Sequence, residues 1–140
     1  MQFALYQAET ARIAAEQAAL LAEARGIMAQ QRQLSQMEQA GVLHTLQVLI
    51  ENAIGKAKQL LKAINQPVPV SGYDAFAALS RCGMIDASRL PAWNAVIGLR
   101  NRIVHDYMNV DMVQVLKLVS ENRESLVTDF LYLPVNETLR

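Results

Sequence analysis

Between residues 99 and 111 the chain reads LRNRIVHDYMNVD, so that Arg100, Asn101 and Arg102 are followed closely by His105, Asp106 and Tyr107. These residue types suit phosphodiester chemistry. An imidazole exchanges protons near neutrality, so it can take one from a ribose 2′-hydroxyl or give one to a leaving 5′-oxygen. A guanidinium fork can hold phosphate oxygens as negative charge grows on them in the transition state. That equipment cuts RNA without a metal, whereas DNA, lacking the 2′-hydroxyl, stays intact. By residue type alone the same cluster is also that of an ordinary polar helix end. It cannot be a buried one, because an unpaired buried cation costs on the order of several kcal/mol.

Spacing constrains how the cluster could work. On an α-helix Asn101 and His105 share a face one turn apart, so Asn101 could orient the imidazole or a phosphate, while Arg100 and His105 diverge by about 140°. The pair could converge if the helix loosened near His105, or if two copies of the helix met across a symmetric interface. Arg102 could add phosphate affinity or contact an acidic partner. Trp93, Ile97 and Met108, large apolar groups close to the cluster, are expected at such a homodimer interface.

The elements that must position these residues read as helices throughout. Ala, Leu, Gln and Glu dominate the first 65 residues, all strong helix formers. Tyr6, Ile13 and Leu20 repeat every seven residues on one face and Glu9, Glu16 and Glu23 on another, predicting an amphipathic helix over residues 2–25 that stops near Gly26. A longer helix is expected from about Ala29 to Ile64, with Leu46, Ile50, Ala53, Ala57 and Leu61 inward and Asn65-Gln66-Pro67 ending it. Gly41 and Gly55 either weaken it or admit a close neighbour. Lys56, Lys58 and Lys62 read as its solvated face. PVPVSG is the clear connector, with Ser71 and Asp74 placed as a capping box for a short helix over Tyr73–Arg81. Gly83 ends that helix. Asp86 or Ser88 caps the next, with Pro91 in its first turn. Asn109 and Asp111 mark a break, after which one last helix runs to about Tyr132 and the tail PVNETLR frays.

Composition narrows the class. Thirteen Lys+Arg balance thirteen Asp+Glu, and hydrophobic residues make up 52% of the 140-residue chain against 19% charged. The chain is long enough for one domain with a real core, and too apolar for disorder. No apolar run reaches the roughly 18 residues of a membrane span, and charges at Glu9, Arg12 and Glu16 interrupt any signal-peptide core, so a cytoplasmic protein is expected. With no net positive field, any nucleic acid must be held at a local basic spot. The lone Cys82 reads as a core or helix-end residue, and His44 as a helix histidine. Inward carboxylates and Glu-x-x-His pairs of a ferritin-like metal site are missing.

The string from Arg100 through His105 to Tyr107, with Asn101 after the arginine and Val110-Asp111 before the last helix, resembles the R-x4-H-x-Y motif of HEPN-domain toxins. The resemblance is to the HepT-like toxins paired with MNT-type minimal nucleotidyltransferase antitoxins, and it extends to chain length and helix order. It implies an all-α HEPN-type helical bundle with a long second helix, a single domain over residues 1–133 followed by a tail at 134–140, and a homodimer. It implies the toxin of a type VII-like toxin–antitoxin system, a metal-independent endoribonuclease acting on mRNA or tRNA with no cofactor. Arg100 and His105 would be catalytic at a shared cleft, with Asn101 and Arg102 supporting, and the cognate nucleotidyltransferase would silence the toxin by AMPylation of Tyr107. Two other readings stand beside it: a non-catalytic adaptor or substrate-binding partner of a nucleotidyltransferase, and a purely structural bundle.

Overall fold

A computed structural model of the chain describes residues 3–134, and every regular element among them is helical: α1 (Phe3–Ala29), α2 (Gln36–Ala63), α3 (Gly72–Arg81), α4 (Leu90–His105), α5 (Met112–Ser120) and α6 (Ser125–Tyr132), with 3-10 turns at Ala87–Arg89 and Tyr107–Asn109. The expected helical bundle with a long second helix is therefore present. No described helix is long and apolar enough to cross a membrane. The tail residues beyond Pro134 lie outside the described range.

Three boundaries depart from the sequence expectation. Gly26 does not stop α1, which continues to Ala29; with open space around it, that glycine meets no steric reason to leave the helix. The second helix starts at Gln36 rather than Ala29. Ser35 accepts the Glu38 amide while the Glu38 carboxylate accepts the Ser35 amide, a reciprocal box that satisfies two orphan donors and fixes the start there. The single last helix is two: Asn122 takes a left-handed φ of 56°, a conformation Asn tolerates better than most residues, and the chain turns between α5 and α6. Arg25 of α1 clamps this turn by donating to the Val119 carbonyl and to the buried Glu124 carboxylate, both at 2.8 Å. At Ser71 only half of the expected box forms, the hydroxyl accepting from the Asp74 amide. Neither Gly41 nor Gly55 admits a close neighbour.

The core is built on α2, which packs against α1, α3, α4 and α6. Leu46, Leu49, Ile50, Ala53, Leu60 and Leu61 are all buried, and each fully buried aliphatic side chain contributes about 1.5–3 kcal/mol. At one end of this core Phe76 of α3 stacks on Trp93 of α4 with centroids 4.1 Å apart, and Phe130 of α6 meets Trp93 edge-on at 5.2 Å. Trp93 and Ile97 are thus interior residues, not the interface residues expected from their size.

Lys56 also departs from the sequence expectation. It is fully buried rather than part of a solvated face. Its ammonium donates to the carbonyls of Phe130 at 2.7 Å and Leu133 at 2.5 Å, and lies 5.1 Å from the Phe130 ring centroid. It therefore caps the C-terminal end of α6, where carbonyls lack helical partners and the macrodipole favours a cation.

Replacing Lys56 with Met should lower stability by about 1–3 kcal/mol, because the α6 carbonyls lose their buried donor. Burial pushes the Lys56 amine down to about 8, below the roughly 10.4 of an unfolded lysine. Between those values the unfolded chain binds more protons, so this group's contribution rises with pH from about 8 to about 10.4 and is lost as pH falls through 8. Urea unfolding at both pH values should show the gap between wild type and Lys56→Met widening at the higher one.

Candidate functional site

Arg100 follows Trp93 by seven residues, two helical turns, so it leaves α4 on nearly the same face, toward α2. There it meets Glu51. Arg100 Nε donates to Glu51 Oε2 at 3.0 Å, a terminal guanidinium nitrogen lies 3.0 Å from the same oxygen, and the other terminal nitrogen donates to Asn101 Oδ1 at 2.9 Å. The guanidinium is half-buried and held in one orientation. A guanidinium has five N–H donors, so both terminal nitrogens keep an N–H for an incoming anion. Gln47, one turn earlier on α2, donates to the same Glu51 oxygen at 3.3 Å. Glu51 is not among the residues that the sequence motif marks. It lies 49 residues from Arg100, on a helix face where an acidic residue is unremarkable, and no local signal pairs the two.

His105 is the last residue of α4 and is exposed. Its imidazole makes no hydrogen bond or ion pair with a described residue. The helix does not loosen before it: Asp106 is the first residue outside, and its amide still donates to the Arg102 carbonyl at 2.8 Å. Arg100 and His105 consequently leave α4 about 140° apart, and one chain does not bring them together. Asn101 is half-buried with its oxygen engaged by Arg100, not by His105. Arg102 is exposed and without an ion pair among the described residues.

Past His105 the chain folds into the 3-10 turn Tyr107–Asn109, closed by Asn109 Nδ2 donating to Asp106 Oδ1 at 2.7 Å. Tyr107 is 49% and Met108 90% exposed. Asp111 caps α5 by accepting the Gln114 amide. Behind the site, the Tyr73 hydroxyl sits so close to Gly98 that a Cβ there would come within 3.1 Å of it, which is why a glycine is accommodated two residues before Arg100. Cys82 and His44 are both exposed, Cys82 as the C-cap of α3 and His44 on α2. Among the described residues no group of three or more His, Cys, Asp or Glu side chains is arranged to hold a metal ion.

The all-helical bundle, with the Arg-x4-His string at the end of its fourth helix, fits the HEPN-type architecture that the motif's resemblance implies. The family described as Ribonuclease HepT-like matches residues 14–130, and the chain belongs to that family. In fold it is similar to the protein of a crystal structure of a toxin–antitoxin with AMP-PNP, with a TM-score of 0.76 and 20% sequence identity over 90% of this chain and 97% of that one. No curated protein matches the chain significantly.

The Glu51–Arg100 pair is partly solvated, so Glu51→Ala should cost no more than about 1 kcal/mol in stability, while releasing the arginine. The Arg100 Nε–Hε resonance should be sharp and protected from exchange in the wild type and broadened or fast-exchanging in the variant. An unchanged resonance would mean that Glu51 does not hold Arg100.

Proposed function

We propose that this protein is the toxin of a type VII-like toxin–antitoxin pair, a metal-independent endoribonuclease of the cytoplasm whose cleft forms between two copies of the chain. The observation that carries the proposal is the state of the two motif residues. Arg100 is oriented by Glu51 with N–H groups to spare, and His105 is exposed and uncommitted, in a chain of the HepT-like ribonuclease family. Because α4 keeps the two side chains apart, a second α4 is the simplest way to supply the missing half, and Met108 and Val104, both exposed beside His105, are apolar groups such a contact would cover.

In the proposed reaction His105 takes the proton of a 2′-hydroxyl as its oxygen attacks the adjacent phosphorus. The new O–P bond forms as the bond to the 5′-oxygen breaks. A protonated imidazole returns a proton to that leaving oxygen, giving a 2′,3′-cyclic phosphate and a 5′-hydroxyl. Arg100, with Asn101 and Arg102 in support, stabilises the charge that builds on the non-bridging oxygens.

The cognate partner in this reading is an MNT-type nucleotidyltransferase antitoxin. Support comes from the similar fold in a toxin–antitoxin crystallised with AMP-PNP, an analogue of ATP. Tyr107, half-exposed on its turn, is accessible to such an enzyme. A phenol is a poor spontaneous nucleophile near neutrality, so the partner must activate it. Its oxygen would attack the α-phosphorus of ATP, pyrophosphate would leave, and the phenolic proton would pass to a base or water. The bound AMP would place a phosphodiester beside Arg100 and Arg102 and compete for the groups that hold RNA.

One observation favours a non-catalytic adaptor instead: the Arg100 guanidinium already has a carboxylate partner. Incubation of purified protein with RNA in excess EDTA decides between the two. The ribonuclease should cut at an undiminished rate, and His105→Ala and Arg100→Ala should each lose about 100- to 10,000-fold in rate with unchanged circular dichroism. Near-native cleavage by either variant removes that residue from catalysis, and absence of cleavage by the wild type leaves the adaptor. Sedimentation should show a dimer at micromolar concentration; a monomer that still cuts RNA would eliminate the shared cleft.

Co-expression with the partner should give an AMP-sized mass adduct on the wild type and none on Tyr107→Phe, which should remain ribonucleolytic and escape silencing. An adduct that persists in Tyr107→Phe places the modification elsewhere.

A further inference from the structure

Between the end of α4 and α5 the surface opens into a groove of about 390 Å³, the lower end of the range that small-ligand sites occupy, about 300–1,000 Å³. Leu99, Val110, Val115 and Leu118 supply its apolar lining, and Arg102, Lys117 and Arg123 its cations. Neither Arg102 nor Lys117 has an ion-pair partner among the described residues. The two carboxylates at the rim are engaged: Asp111 accepts the Gln114 amide at 3.3 Å, and Glu121 holds Arg123 at 3.0 Å. A chain with no net charge thus brings two cations without ion-pair partners to one partly apolar groove.

The groove adjoins the motif. Arg102, which lines it, is three residues before His105, so their Cβ atoms are about 5–6 Å apart. Val110, in its apolar lining, donates its amide to the Tyr107 carbonyl at 3.3 Å, which makes the turn carrying Tyr107 one edge of the groove. A strand whose phosphate reached Arg100 and His105 would meet this slot next.

We propose that this groove is a nucleotide subsite, holding the RNA residue that flanks the scissile phosphate, with its base on Leu99, Val115 and Leu118 and its phosphate at Lys117, while Arg102 marks the boundary between this subsite and the scissile phosphate. The proposal rests on the ribonuclease reading and adds to it the place where sequence is sensed. No aromatic ring lines the slot, so the base is not held by stacking. The side-chain amide of Gln114 also lines it and has no partner among the described residues; it can both donate to and accept from a base edge. Such a site governs which RNA binds rather than how fast a bound one is cut.

The test uses the full chain and a 2′-O-methylated RNA hexanucleotide, which cannot be cleaved through its own 2′-oxygen. Amide shift changes should map to Leu99, Val115 and Lys117. Lys117→Glu should raise Kd about tenfold and lower the slope of log Kd against log salt by about 1. On cleavable RNA the same variant should raise KM by a similar factor while kcat stays within about twofold, and Gln114→Ala should change the base preference at one position next to the cut. Unchanged Kd and salt slope in Lys117→Glu, or shifts confined to other surfaces, would overturn the proposal. So would intact RNA binding combined with loss of the antitoxin complex, which would make the groove a seat for an acidic protein segment. If the wild type binds the methylated RNA in this groove yet cuts no RNA, the ribonuclease reading fails and the assignment of the groove to an RNA nucleotide stands.

Discussion

The packing of Trp93 between Phe76 and Phe130 sets the direction of everything that α4 carries. These rings come from three helices, and Lys56 of α2 adds a fourth element by lying over the Phe130 ring and bonding to its carbonyl. Aromatic contacts of this kind contribute about 0.5–1.5 kcal/mol each beyond the area they bury, and together they fix the rotation of α4 about its own axis. Once Trp93 is seated, the 3.6-residue period leaves no choice for the rest of the helix. Val96 and Ile97 must enter the core, and Arg100 must emerge beside α2. Its cost of partial burial is offset there by Glu51 and Asn101.

The same rotation puts His105 outside. Twelve residues after Trp93 the helix has turned by about a third of a revolution from the core face, and the imidazole projects into solvent at the helix end. The bundle thus holds Arg100 in one orientation and leaves His105 free. In the proposed reaction these two states would meet different demands, since a phosphate-holding cation benefits from a fixed orientation and a group that exchanges protons needs access. The turn that follows, closed by Asp106 and Asn109, keeps Tyr107 within two residues of the imidazole but off the helix axis.

Beyond that turn the break between α5 and α6 shapes the adjoining surface. A continuous last helix would carry its apolar face straight past α4. Instead the left-handed Asn122 and the Arg25–Glu124 pair fold the chain back at the end of α5. α6 is thereby free to bury Phe130 and Leu131 in the main core, and α5, packed on α1, lies beside the end of α4 with the groove between them. Lys56 and Arg25 serve the same physical purpose at two helix ends: each places a cation where carbonyls have run out of helical donors.

Local sequence determined the helical class, the stop at Asn65–Pro67, the short helix after Ser71, the cap at Asp111 and the motif from Arg100 to Tyr107, because these rest on propensity, capping chemistry and spacing, which are properties of neighbouring residues. The Ser35–Glu38 box is equally local, but it sits inside a run of good helix formers, so propensity does not by itself mark the break between α1 and α2. What the sequence could not determine is which residues meet across the bundle. Glu51 finding Arg100, Lys56 turning inward to cap α6 and Trp93 serving the core instead of a surface all depend on pairs far apart in the chain. Lys56 is the clearest of these. Its neighbours Lys58 and Lys62 have the same chemistry, and only the arrival of the α6 carbonyls over one of the three positions makes burial of a cation tolerable there.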